Sequence, residues 1–218
     1  MNLVGVNICK NEINNLIEDI ERNFPDVDVQ AKEYYRVIAK QILFFKHIFN
    51  TYPHTYPAKV IISDFFNFLL DDINESTRYL YLNERSIIEN YIRLILKDDA
   101  HTTHITFQAF DDLKNRNTLI LSDAEYGKIK NEYRIACSYI HGGHKLTNHL
   151  VDNFEDCLNG ISTISQRSKR SRINQTLDLF KILNKLFIHN NREVVDNSFH
   201  RNKEALKYLL GKQYSAFF

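Results

Sequence analysis

Asn131, Arg134, Ser138 and His141 recur at three- and four-residue spacing in the stretch Asn131-Glu-Tyr-Arg134-Ile-Ala-Cys-Ser138-Tyr-Ile-His141-Gly-Gly. On a helix that spacing gathers them into one polar row. Seven residues advance a helix by nearly two turns, so Arg134 and His141 share a face about 10 Å apart, with Ser138 between them. A guanidinium binds phosphate in two-point fashion and keeps its proton. An imidazole with a pKa near ~6.5 takes or gives one at neutral pH. His141 falls in the last helical turn, where exposed carbonyls favour its charged form. A phosphate clamp beside a general acid/base is a minimal set for cutting RNA, whose own 2′-hydroxyl is the nucleophile. One Arg and one His are sparse for that task. Two such helices meeting across a dimer axis would double the set.

Other groups compete for attention. Arg85, Glu89 and Arg93 stand four apart; the ordinary reading is a solvated ion-pair ladder worth roughly a few tenths of a kcal/mol per pair. The alternative is that Glu89 lines the site. His101-Thr-Thr-His104 and His141-Gly-Gly-His144, with His149 nearby, suggest a metal hydrolase. No His-Glu-x-x-His motif accompanies them, so the expectation is a site without metal or cofactor. The run Gln166-Arg-Ser-Lys-Arg-Ser-Arg172 reads as a basic, Ser-rich connector. If RNA is the substrate, Arg167, Lys169, Arg170 and Arg172 are its obvious phosphate contacts.

The element carrying the polar row is the best specified in the chain. Ser122 and Glu125 have capping-box spacing, and Leu121 with Tyr126 stand where a hydrophobic staple would. Gly142-Gly143 supplies a left-handed stop. Between them Tyr126, Ile129, Tyr133, Ala136, Cys137 and Ile140 form an apolar stripe, which makes Cys137 a core thiol and not a nucleophile.

The remaining sequence reads as helices too. All three prolines precede Ala58, and long stretches without breakers carry three-four apolar spacing. The pattern predicts helices over about 8–24, 30–49, 59–72 and 77–97, then from Ser122, and over about 144–158, 173–189 and 194–210. Tyr34, Ile38, Ile42, Phe45 and Phe49 form the buried stripe of the second. Ile88, Tyr91, Ile92 and Ile95 form that of the fourth. Residues 52–57 read as a turn or extended link. In 98–121, Thr-Leu-Ile-Leu fits a short strand or a buried turn. The expected fold is an all-α helical bundle forming one domain over 1–218.

Composition bounds the function without choosing it. A chain of 218 residues with 44% hydrophobic and 25% charged residues builds an ordinary core. The net charge of +1 gives no global pull toward nucleic acid or membrane, so any such site must come from local clustering. Three scattered cysteines without CxxC, no basic leader before an apolar run, and no run approaching ~20 apolar residues predict a cytoplasmic protein with no membrane span.

Tyr133-Arg134-Ile-Ala-Cys-Ser-Tyr-Ile-His141-Gly resembles the Arg-x4–6-His motif of the HEPN superfamily, a group of all-helical domains that includes many RNases of toxin–antitoxin and antiphage defence systems. Arg85-Ser-Ile-Ile-Glu89-Asn-Tyr-Ile-Arg93 is similar to an earlier helix of some members, where a polar residue faces the site. The resemblance spans Arg85 to Gly143. It implies a HEPN-like core over 59–160, flanked by helices in 1–58 and 161–218. It further implies a homodimer whose paired Arg and His residues cut RNA without metal, under the control of an antitoxin or defence partner. Many active members carry a polar residue directly after the Arg, where this chain has Ile135. The alternative is thus a non-catalytic helical scaffold or interaction protein.

Overall fold

The computed structural model describes residues 4–50, 56–97, 105, 107–140, 166–211 and 214–217. Among them there is no strand, and the all-α expectation holds. The helices are α1 (Val4–Asn23), α2 (Val29–Phe49), α3 (Tyr56–Ile73), α4 (Thr77–Leu96), α5 (Phe107–Arg116), α6 (Asp123–Ile140), α7 (Gln166–Asn190), α8 (Arg192–Ser198), α9 (Lys203–Leu210) and α10 (Tyr214–Phe217). Among the described residues, no helix is long and apolar enough to cross a membrane.

Local chemistry explains the boundaries. The Asp28 carboxylate accepts the Ala31 amide at 2.7 Å and starts α2. Pro57 occupies the first turn of α3, where its missing N–H leaves no bond unmade. Lys97 ends α4 in the left-handed region, φ 59°, its amide bonded to the Arg93 carbonyl. The short turn around Glu75 folds α4 back along α3.

Helices α1 to α9 all contribute to one continuous core. α2 is buried over much of its circumference. Phe45 meets Tyr91 of α4 and Phe187 of α7 with centroids 5.3 Å apart in each case. A buried polar chain sets the mutual register of these three helices. The Tyr91 hydroxyl donates to Asn184 Oδ1 at 2.7 Å, and Asn184 Nδ2 donates to Gln41 Oε1 at 2.9 Å.

Three elements differ from the sequence reading. Part of the ambiguous 98–121 stretch is helical (α5), and residues 117–120 form a turn closed by the Leu121 amide on the Asn117 carbonyl at 2.8 Å. The basic run is no connector. It forms the first turns of α7, where Arg172 pairs with Asp72 near the end of α3 and Lys169 with Glu75 in the turn that follows. The expected 194–210 helix is broken between α8 and α9. There Phe199 is fully buried and stacks on Phe44 at 5.9 Å, and the turn sends α9 back to lay Leu206 and Leu209 into the core. The predicted 144–158 helix, the Gly142-Gly143 stop and residues 52–55 of the expected 52–57 link lie outside the described residues, while Tyr56 and Pro57 of that link open α3 instead.

Candidate functional site

The capping box that opens α6 is formed in both directions. The Ser122 amide donates to Glu125 Oε2 at 3.0 Å, and the Glu125 amide donates to Ser122 Oγ at 3.3 Å. Leu121 is buried beside it, and Lys185 of α7 holds the Glu125 carboxylate from the other side. Ile129 and Ala136 then point fully into the core, which turns Arg134 out to solvent. Arg134 is not adrift there. Its Nη2 donates to Asn131 Oδ1 at 3.0 Å, one turn back along the helix.

The row is only partly assembled as the spacing predicts. Asn131 and Arg134 stand together, but the Ser138 hydroxyl donates to the Ile135 carbonyl at 2.7 Å, directing it to the helix backbone. His141 lies just past the last described residue of α6, outside the described residues. At that end stands Arg78, which no local pattern marks. From the first turn of α4 its Nη2 donates to the Ile140 carbonyl at 3.3 Å, setting a second guanidinium where the polar row ends.

Glu89 is not on the row. It faces the opposite flank of α6, and the ladder expected in solvent is largely buried. The side chains of Arg85, Glu89 and Arg93 are 17%, 11% and 11% exposed. Glu89 accepts Arg85 Nε at 2.8 Å and the Tyr133 hydroxyl at 2.9 Å, while Arg93 Nη2 stands 3.9 Å away. Arg85 also lies over the Tyr133 ring, 5.6 Å from its centroid. Burial, with the Glu89 charge behind it, pushes the Tyr133 phenol well up and keeps it a hydrogen-bond donor. Glu89 therefore positions α6, and Arg134 follows Tyr133 by one residue.

Between α5 and α6 runs an open groove of about 460 Å³, with Phe107, Lys130, Asn131, Tyr133, Arg134 and Cys137 among its walls. Cys137 is half-buried in that wall and does not belong to the core, contrary to the stripe reading. Its Phe110 is the buried anchor, 4.8 Å from the Tyr133 ring.

The basic residues of α7 line a different cleft. It has a volume of about 430 Å³ and is walled by Tyr35, Asp72, Tyr81, Tyr139, Lys169 and Arg172. Tyr81 and Tyr139 stack there at 4.0 Å and 16°. α6 thus borders both clefts, with Arg134 in one and Tyr139 in the other. Arg172 is committed to Asp72 and Lys169 to Glu75, so neither is a spare phosphate contact; Arg170 faces solvent. The Arg167 side chain lies outside the described residues. Under the same side of α6 sits Glu84, which is 3% exposed. Burial, then the Glu132 charge, pushes its carboxyl up to about 8, with Arg172 opposing.

His101, His104, His144 and His149 lie with His141 outside the described residues. Among the described residues no three His, Cys, Asp or Glu side chains form a metal-holding group.

No protein-family model matches the chain, and no curated protein and no solved structure is similar enough to match it. Any function must be read from the side chains themselves.

Proposed function

We propose that the protein is a metal-independent endoribonuclease of HEPN type, cytoplasmic and homodimeric, serving as a toxin or antiphage defence effector. One observation carries the reading: Arg134 is solvent-facing, steadied by Asn131, and stands in the wall of an open groove beside a second cation, Lys130. A steadied guanidinium suits the charge that develops on a phosphate under attack.

The chemistry balances without a co-reactant. The 2′-hydroxyl oxygen bonds to the adjacent phosphorus as the bond to the 5′-oxygen breaks, leaving a 2′,3′-cyclic phosphate and a 5′-hydroxyl. One His141 removes the 2′ proton, and His141 of the second copy protonates the leaving oxygen. Arg134 binds the phosphate, Asn131 orients Arg134, and Glu89 sets the helix through Tyr133. Ser138 serves the helix backbone. Arg170 is the remaining described cation of the α7 run with no carboxylate partner, and it meets RNA at the periphery.

A second reading, an inactive helical scaffold, is favoured by Ile135, which puts an apolar side chain where many active HEPN domains carry a polar one. Incubation of the purified protein with single-stranded RNA in EDTA separates the two. The ribonuclease reading predicts cleavage with cyclic phosphate ends, blocked by 2′-deoxy substitution. Cleavage only with added divalent metal moves the chemistry to His101, His104, His141 and His144. Absence of any cleavage favours the scaffold.

A further inference from the structure

We propose that the groove between α5 and α6 seats one unpaired RNA nucleotide, its base stacked on Phe107 and its phosphate between Lys130 and Arg134. The inference rests on the RNA reading above and names what that site accepts. Three independent features lead to it.

Phe107 opens α5 with 74% of its surface exposed, while Phe110, one turn on, is buried. Phe107 lines the groove, so an aromatic ring borders whatever enters. Every base has a face that can stack on such a ring, and a duplex hides those faces in its own stack.

Cations stand beside that ring. The Lys130 ammonium lies over the Phe107 ring, 5.8 Å from its centroid, and over that of Tyr126 at 5.2 Å, so a base stacks on Phe107 by the face that Lys130 does not cover. Arg134 follows Lys130 by four residues on the same helix and lines the same groove. An aromatic platform next to a track of positive charge is how proteins hold single strands.

Gly127 borders the same groove and is exposed. Glycine is the poorest helix former after proline, yet Gly127 sits inside α6. Among the described residues nothing requires it: a Cβ added there meets none of their atoms within 4 Å, and the backbone does not adopt positive φ. Gly127 lines the groove, and the space beside it is open. A groove of about 460 Å³ accepts a nucleotide-sized ligand. Because Arg134 serves both seat and clamp, the seated nucleotide adjoins the phosphate that is cut.

The test is fluorescence anisotropy with a labelled ten-residue 2′-O-methyl oligouridylate, which retains bases and phosphates but cannot be cleaved by 2′-hydroxyl attack. A fully paired RNA hairpin is the second probe. Phe107→Ala should weaken binding of the single strand roughly tenfold or more, the usual loss of one stacked base. Phe107→Tyr should retain affinity. Gly127→Leu should weaken binding to a similar extent while leaving Tm unchanged or raised, since the helix gains a better former. The hairpin should bind more weakly than the single strand to the wild type and be indifferent to these changes. Binding by Phe107→Ala and Gly127→Leu within twofold of wild type overturns the seat, as does a hairpin bound as tightly as the single strand. Phe107-dependent binding without any cleavage of ordinary RNA leaves the seat standing and removes the catalytic reading. Cleavage that is indifferent to Phe107→Ala and Gly127→Leu does the reverse.

Discussion

Replacing Glu89 by Gln asks whether the α4 ladder holds α6 in place or merely decorates the surface. Gln keeps the shape and one carbonyl oxygen, so the change removes a charge and little else. A solvated pair of this spacing is worth about 0.3–0.5 kcal/mol. A buried pair deprived of one partner costs about 3–5 kcal/mol, because the remaining charge is stranded. Arg85 and Arg93 are only 17% and 11% exposed; Arg85 loses its carboxylate partner at 2.8 Å, and Arg93 loses a longer contact at 3.9 Å. Both retain some contact with water, so the lower end applies, about 3 kcal/mol. For a chain of this length that lowers Tm by roughly 6–12 °C. Urea unfolding followed by circular dichroism reads it as a shifted midpoint at constant slope. Glu33→Gln is the control. Glu33 pairs with Arg36 at 3.4 Å but is 71% exposed, and its loss should cost less than about 0.5 kcal/mol. Equal, small losses for the two variants would refute the argument, leaving α6 without its clamp.

Glu84→Gln should flatten the stability profile between about pH 4.5 and 8. Burial raises the folded carboxyl from 4.5 to about 8, so stability present below pH 4.5 is lost as pH rises through about 8. At about 1.36 kcal/mol per pKa unit, denaturation at pH 5 and pH 9 should show the variant gaining roughly 3 to 4 kcal/mol over wild type across that interval. Parallel profiles would contradict it. Arg172→Ser should cost several kcal/mol, about 3–5, by stranding the Asp72 carboxylate, which is 8% exposed. Arg170→Ser should leave stability within about 0.5 kcal/mol and reduce the log–log salt slope of RNA binding by about 0.7.

What was legible in the sequence was what is local. The Ser122–Glu125 box, the buried face of α4 and the outward turn of Arg134 follow from spacing within one helix. α5 escaped because ten residues burying only Phe110 and Leu113 are too few to establish a period. The α7 run was misread because the carboxylates that anchor it, Asp72 and Glu75, lie 100 and 94 residues from their partners. The Glu89 ladder has the same four-residue spacing whether water or α6 covers it, so sequence alone could not choose. Phe107 stands three residues before Phe110, as a core residue would; its exposure comes from its place at the very start of the helix. Arg78 reaches Ile140 across 62 residues, with no local signal at all.

On the ribonuclease reading Arg134 and His141 perform chemistry and not packing. Single-turnover cleavage of a single-stranded RNA in EDTA, by wild type, Arg134→Ala and His141→Ala, tests it most directly. Arg134 is exposed and touches only Asn131 among the contacts described above, so its truncation opens no core cavity and should change stability by about 1 kcal/mol or less. Each substitution should slow cleavage about a hundredfold or more, the effect of removing a charge-stabilising donor or a positioned acid/base. A folded Arg134→Ala variant that cuts RNA at the wild-type rate would contradict the account.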